Sequence, residues 1–236
     1  MADKVKTNAA TSLLIAGYEN SGKSTLGATI KDGLVVNCDH KAYVFNVPHC
    51  NYSSWKGIQD FKNFVNGKVK AYKEKFGKLP RIVVIDTITH LALTMDKYYS
   101  EVYKNDNFKV YAAIKDDTTG LGQYVQWLNE QGVNVVIMAH TVFDADTNRM
   151  TIPASGAFKK AGGWISFVSE AIFIERTADS HQVVLKDSGV HIVRSVMPDI
   201  MNSKEPEIRV DFDEFSINEH FDKILSARTE SKEQEL

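Results

Sequence analysis

The sequence predicts an α/β fold: a mostly parallel sheet flanked by helices, with an antiparallel hairpin extension at its C-terminal end. Short β-branched and apolar runs alternate with stretches of helical periodicity up to about residue 176. After that point the helical stretches give way to closely spaced strand patterns. We place a single domain at residues 1–227 and a charged tail at 228–236.

Strands and helices alternate in the first half of the chain. The strands are predicted at about residues 12–16, 34–39 and 81–87, with a short edge strand at 41–47 before Pro48. The helices are predicted at about residues 23–32, 55–72 and 91–102, where apolar side chains recur three and four positions apart. Each helix therefore has one apolar face that can pack on the sheet.

The second half begins with a helix at 108–131, ended by Gly132, and then a β-branched strand at 133–138. Residues 142–163 show no clear period and predict a long functional loop. Further strands are predicted at 171–175, 181–186, 190–194 and 208–212, with Asp187-Ser188-Gly189 as a hairpin turn between the second and third. Ser216 and Glu219 form a capping-box pattern that opens a short last helix.

The composition is that of a soluble intracellular protein. The net charge of −2 gives no overall basic field, so any nucleic-acid contact must come from a local patch. Cys38 and Cys50 alone do not make a disulfide scaffold, which fits a reducing compartment. Neither a membrane-spanning apolar run nor the apolar core of a signal peptide is present. We expect a cytoplasmic protein without a membrane partner.

The stretch that follows the first strand has the spacing G-x-x-x-x-G-K-S. Glycines at both ends let successive backbone N–H groups point at one anion, and the helix that follows adds its positive dipole end. Lys23 can reach the β- and γ-phosphates, and the Ser24 hydroxyl can complete a magnesium shell. We expect a nucleoside triphosphate with Mg²⁺, held by Gly17, Tyr18, Glu19, Asn20, Ser21, Gly22, Lys23, Ser24 and Thr25. The alternative is a chance match in a glycine-bearing turn.

Asp86 ends a strand of four apolar residues, which is a Walker B pattern. Parallel strands end at the same sheet edge, so its carboxylate would lie near the magnesium that Ser24 also binds. The alternative is an ordinary strand that ends in a solvated acid. We therefore name Ser24 and Asp86 as metal ligands.

Hydrolysis also needs a group that orients or deprotonates the attacking water. Asp39, at the end of the second strand, is the first candidate, and Glu19 is the second; the alternatives are a turn residue and a solvated loop charge. His140 closes the strand after Asp86 and either senses the γ-phosphate or has a structural role. The predicted catalytic set is Lys23, Asp39, Asp86 and His140.

The loop at 142–163 combines glycines with the cations Arg149, Lys159 and Lys160. Such a loop suits a phosphodiester backbone, or equally a cation that reaches the γ-phosphate of a neighbouring subunit. A solvated basic loop is the third interpretation. The basic run from Lys68 to Arg81 is expected to be a solvated helix end, and the spacing of cysteines and histidines excludes a zinc site.

These motifs, in this order, resemble the RecA-like P-loop ATPases and, more narrowly, phage-encoded nucleotide-binding proteins of single-strand annealing recombination. The resemblance rests on GYENSGKST, VVNCD, RIVVIDTITHL and VNVVIMAHT, and less securely on SGVHIVRSV. It implies Lys23 and Ser24 on phosphates and magnesium, Asp86 as the Walker B acid, Asp39 as the water-activating acid and His140 as the sensor. RecA-like enzymes usually carry glutamate at the position of Asp39, which predicts slow turnover here.

The function expected from the resemblance is ATP hydrolysis coupled to single-stranded-DNA binding in recombination or strand annealing. The implied partners are single-stranded DNA, further copies of the chain in a ring or filament, and a single-stranded-DNA-binding protein. A phage origin would place the protein in the host cytoplasm. A P-loop nucleoside or nucleotide kinase and a slow nucleotide-dependent switch are the alternatives.

Overall fold

The computed structural model describes residues 10–39, 41–104, 106–154, 158 and 163–232. Within them lie an eight-stranded sheet and a two-stranded hairpin. The strands are β1 (Ser12–Gly17), β2 (Gly33–Asn37), β3 (His49–Asn51), β4 (Ile82–Asp86), β5 (Asn134–His140), β6 (Val142–Asp144), β7 (Arg149–Thr151), β8 (Glu170–Arg176), β9 (His181–Lys186) and β10 (Ile208–Asp211). The helices are α1 (Lys23–Gly27), α2 (Ile58–Phe76), α3 (Ile88–Tyr103), α4 (Asn107–Glu130), α5 (Pro198–Met201) and α6 (Ile217–Lys232).

The large sheet has the strand order β10-β9-β8-β1-β5-β4-β2-β3. Strands β8, β1, β5, β4, β2 and β3 are parallel, whereas β9 and β10 extend the sheet in antiparallel pairing. The predicted fold class is therefore confirmed: a mostly parallel sheet, flanked by helices, with an antiparallel extension. Register places Gly17 beside His140 and Asn37 beside Asp86, so the carboxyl ends of four neighbouring strands share one edge.

The two faces of the sheet bury separate apolar layers, because successive strand residues point to opposite sides. Leu14 and Ile85 lie in the layer that packs against α2, α3 and α4. Leu13 and Val84 lie in the opposite layer. Leu26 of α1 and apolar side chains of α6 belong to the same layer. Strands buried on both faces need continuous apolar runs, which explains the sequence pattern of β1, β4 and β5.

The predicted edge strand at 41–47 is wrong, because the edge strand of this sheet is β3 at His49–Asn51. Pro48 accepts a hydrogen bond from the Val35 amide, and regular pairing begins only after it. Tyr43, Phe45 and Val47 still pack against the second apolar layer. Their alternation therefore indicated burial on one side and not strand pairing.

The predicted pairing of 181–186 with 190–194 is also wrong, since β9 pairs with β8 and β10. The turn between β8 and β9 is closed by Thr177, whose amide donates to Ser180 O at 2.8 Å. Asp187 instead organises a loop by accepting hydrogen bonds from the amides of Gly189 (2.8 Å) and His191 (2.7 Å). These two amides therefore bond to a side chain and not to the backbone of a neighbouring strand, as the predicted hairpin would require.

The long loop predicted at 142–163 begins with a regular hairpin in which β6 and β7 pair Val142 with Thr151. It is fixed to the body of the domain by the Met150 amide, which donates to Val190 O at 2.7 Å.

The first helix was predicted to reach Asp32 but ends at Gly27. The last helix runs through Arg228, whose guanidinium donates to Thr11 Oγ1 at 2.9 Å. In the described part of the chain, no helix combines the length and apolar character that a membrane span requires.

Candidate functional site

The loop between β1 and α1 has the geometry of a phosphate cradle. Gly22, at the N-cap of α1, has a φ of 97°, a conformation that side chains with a Cβ rarely adopt. A Cβ at Gly17 would lie 2.6 Å from Ser21 Oγ and 2.9 Å from Ile174 O. Both motif glycines are thus required by the backbone path. The path leaves the first amides of α1 free to bind an anion.

Lys23 is folded into this cradle. It is 4% exposed, and its ammonium donates to Gly17 O at 2.9 Å, to Tyr18 O and to Ser21 Oγ at 3.3 Å. Burial lowers the pKa of Lys23 to about 8, while the charges of Asp86, Glu19 and Asp39 oppose that shift. A cation held by carbonyl oxygens beside free amides can transfer its hydrogen bonds to phosphate oxygens.

Ser24 and Asp86 form the part of the site that fits a magnesium ion. Asp86 is 2% exposed and hydrogen-bonded to the Ser24 side chain, while its Oδ1 has no hydrogen-bond partner among the described residues. Burial raises the pKa of Asp86, against the opposing effects of Ser24 and Lys23. One carboxylate and one hydroxyl are oxygen ligands of the kind that Mg²⁺ takes together with substrate phosphates. Bound there, the ion would neutralise phosphate charge.

Asp39 lies at the same edge, beyond the end of β2. Its carboxylate Oδ1 is 2.9 Å from His90 Nε2, and its Oδ2 is 3.4 Å from Lys41 Nζ. The Asn37 side chain accepts from the Asp39 amide at 3.1 Å and donates to Lys41 O at 2.9 Å, which shapes this turn. Asp39 is therefore held from several sides, with part of its carboxylate open to solvent.

His140 ends β5 between the P-loop and α3. In the part of the chain that the structure describes, its ring nitrogens have no hydrogen-bond partner, and its ring centroid lies 5.4 Å from that of His90. Burial, assisted by the charges of Lys23 and His90, lowers the pKa of His140 to about 4. The imidazole is neutral at pH 7 and keeps one donor and one acceptor for a ligand. The four predicted catalytic residues thus lie along one sheet edge.

A family model and a solved structure are similar to this chain. A family model described as an AAA domain matches residues 9–155, more than half of the chain. The chain belongs to the AAA domain family. No curated protein matches the sequence. A solved structure, that of a KaiC-like protein from the hyperthermophilic archaeon Pyrococcus horikoshii, is similar at 12% identity with a TM-score of 0.46, covering 84% of this chain and 83% of that one.

This AAA-family domain supports its P-loop with residues from beyond the matched region. His181 Nε2 lies 2.8 Å from Ser21 O, and its ring stacks on Phe212 at 3.6 Å between centroids. Arg176 Nη1 donates to Asn20 O at 3.4 Å. Sequence reasoning missed these residues because nothing local to them indicates a contact with the loop.

The predicted nucleic-acid residues of the AAA-family chain are only partly described. Arg149 is exposed at the start of β7. Lys159 and Lys160 lie outside the described residues. The hairpin that carries Arg149 leaves the sheet directly after His140, where the Thr141 amide donates to Gly17 O at 3.1 Å. It therefore rises from the same edge as the P-loop.

Of the other predicted residues, Tyr18, Glu19, Asn20 and Thr25 are exposed, whereas Ser21 is buried. Tyr18 packs edge-on against Phe173, with 6.0 Å between ring centroids. The negative charge of the exposed Glu19 raises the pKa of Lys23, against the larger effect of burial. Within the described residues, no group of three or more His, Cys, Asp or Glu side chains could hold a metal.

Proposed function

We propose that this chain binds ATP with Mg²⁺ and hydrolyses it, using Asp39 to orient the attacking water. The observation that carries the proposal is the arrangement at one edge: buried Lys23 in the cradle, Asp86 with an oxygen that has no partner within the described residues, and Asp39 beside them. Family membership supports nucleotide hydrolysis. Backbone amides and Lys23 bind the phosphates, and Ser24 with Asp86 holds the metal. Asp39 accepts the proton of the water.

We further propose that hydrolysis is coupled to single-stranded DNA in recombination or strand annealing. Two features support this: the exposed Arg149 on a hairpin that starts at His140, and the cations Lys159 and Lys160 in the segment that follows. Cations on such a loop contact the phosphodiester backbone. A γ-phosphate that contacts His140 would order the hairpin, and its release would free the hairpin. The resemblance to RecA-like proteins implies a ring or filament of copies and a single-stranded-DNA-binding protein as partner.

The deciding experiment measures phosphate release from ATP by wild type and Lys23→Ala, each with and without single-stranded DNA and with and without Mg²⁺. We expect Mg²⁺-dependent release that Lys23→Ala abolishes and that DNA stimulates. Equal rates for the two proteins would refute hydrolysis at this site. Tight nucleotide binding with negligible release under every condition would favour the switch alternative, and phosphorylation of a nucleoside would favour the kinase. Light scattering with and without ATP tests the oligomer.

A further inference from the structure

His90 joins the candidate acid to the rest of the sheet edge, although no motif assigns it a role. Its Nε2 lies 2.9 Å from Asp39 Oδ1, and its Nδ1 lies 2.9 Å from Thr87 Oγ1. The His90 side chain is 24% exposed and that of Asp39 is 18% exposed, so the pair is largely shielded. Oδ1 is itself buried and has no hydrogen bond within the described residues, so the imidazole acts on it at ion-pair distance.

The hydrogen bonds beyond His90 form one continuous chain. The His140 amide donates to Thr89 Oγ1 at 3.1 Å, and the Thr89 hydroxyl donates to Thr87 Oγ1 at 3.2 Å. Thr87 Oγ1 also accepts the His90 amide at 3.3 Å as the N-cap of α3. The chain thus runs from the end of β5, across the loop after β4, to His90, whose Nε2 lies at ion-pair distance from the acid that follows β2.

Donor counting fixes the direction of every bond in this chain. A hydroxyl has one proton to donate and two lone pairs. Thr87 Oγ1 already accepts from Thr89 and from the His90 amide, so its own proton is free for His90 Nδ1. His90 Nδ1 is then the acceptor, and the ring proton resides on Nε2, facing Asp39. The two threonines therefore select the tautomer with its proton on Nε2, the ring nitrogen nearest the acid.

We propose that His90 is a positioning residue for Asp39: it holds Oδ1 and leaves Oδ2 to orient the attacking water. This inference rests on the proposed hydrolysis. A carboxylate with one oxygen fixed presents the other in a single direction, and misplacement of a catalytic group by about 1 Å costs on the order of 100-fold in rate. The contacts of His90 are with Asp39, Thr87 and the His140 ring, which gives it a role through the acid.

The test compares His90→Leu, which has no donor, with His90→Gln, whose amide nitrogen has about the reach of Nε2. Leucine should lower kcat for ATP roughly 10- to 100-fold with KM within about threefold, and glutamine should recover most of kcat. The exposed His49 on β3 provides a control, because His49→Leu should leave both constants unchanged. A kcat for His90→Leu equal to wild type, or a loss confined to KM, would overturn the inference.

A double-mutant cycle separates positioning from general destabilisation. Because His90 acts through Asp39, the pair His90→Leu with Asp39→Asn should be no slower than Asp39→Asn alone. Multiplying effects would contradict the inference. If His90→Leu does not fold, the same cycle uses His90→Asn, whose shorter side chain does not reach the acid.

Nuclear magnetic resonance of the imidazole nitrogens gives a readout that does not depend on activity. In nucleotide-free wild type at neutral pH, the His90 resonances, assigned by their loss in His90→Gln, should show the Nε2–H tautomer. The Nδ1–H tautomer would overturn the inference. An ATPase rate equal in wild type and Lys23→Ala refutes the proposed function as a whole. A Lys23-dependent ATPase that survives His90→Leu intact refutes only the role of His90.

Discussion

His181 Nε2 lies 2.8 Å from the carbonyl oxygen of Ser21, a residue 160 positions earlier in the chain. The carbonyl can only accept, so the His181 ring donates from Nε2. The same ring stacks on Phe212, and a Cβ at Gly22 would lie 3.1 Å from it. The antiparallel extension therefore contacts the phosphate cradle at Ser21 and Gly22, on the side of the loop that faces β9.

Replacing His181 should weaken nucleotide binding more than it slows chemistry. In His181→Ala the Ser21 carbonyl loses its donor and Gly22 loses one of the two rings beside it, so the cradle is less well ordered before phosphate arrives. We expect the Kd for ATP to rise roughly tenfold, which corresponds to the free energy of one buried hydrogen bond with its packing. We expect kcat to change by less than about threefold. Calorimetry measures the Kd, and phosphate release measures kcat. An unchanged Kd would show that the contact does not organise the loop.

Removing the charge of Asp86 should abolish magnesium dependence and stabilise the nucleotide-free protein. Burial raises the pKa of this carboxyl above its ordinary 3.8, so the folded state holds the proton more tightly than the unfolded chain. Its contribution to stability therefore falls as pH rises above 3.8 and is unfavourable at pH 7. Asp86→Asn should raise the free energy of unfolding by about 1 kcal/mol. Its ATP affinity should be the same with Mg²⁺ as with a chelator.

The control for this variant is Asp96→Asn, a change at an exposed position on α3. It should alter neither the denaturation midpoint nor the effect of Mg²⁺ on ATP affinity. A destabilised Asp86→Asn would mean that the carboxylate is compensated by contacts that outweigh its burial. Magnesium dependence that persists in the variant would remove Asp86 from the metal site.

The positions of candidate residues could be predicted where they depend on local order along the chain, and not where they depend on contacts between distant segments. Lys23 and Asp86 could be placed because one lies in a contiguous loop motif and the other ends an apolar strand. His181 could not, since its partner depends on how the antiparallel strands pack beside β1. The edge strand was misplaced because alternation at 41–47 reports burial without pairing. His90 lay inside a quoted motif, yet only the turn after β2 brings Asp39 to it.

His140 should make the domain less stable in mild acid. Its folded-state pKa of about 4 lies below the ordinary 6.5, so the unfolded chain takes up a proton that the folded state resists. This contribution is absent at pH 7, and stability falls as pH decreases from 6.5 to about 4. Urea denaturation at pH 7 and pH 5 should show a smaller decrease for His140→Gln than for wild type. His49→Gln, at an exposed site, should behave as wild type. Equal decreases for His140→Gln and wild type would place the imidazole in solvent.

The cations after His140 should determine how strongly DNA binding depends on salt. Removing one cation that neutralises a phosphate of a single strand reduces the slope of log K against log salt by about 0.7, because fewer counterions are released on binding. Lys159→Ala with Lys160→Ala should therefore weaken binding to a labelled oligonucleotide and flatten the salt dependence, and Arg149→Ala should add to both effects. The matched control removes two other lysines, Lys73 and Lys75, which are exposed in the last turn of α2. That control should leave the slope unchanged, since its charges lie on a helix end with no assigned ligand. If the control flattens the slope and the loop variant does not, the nucleic acid binds along α2 and the hairpin after β5 serves another partner.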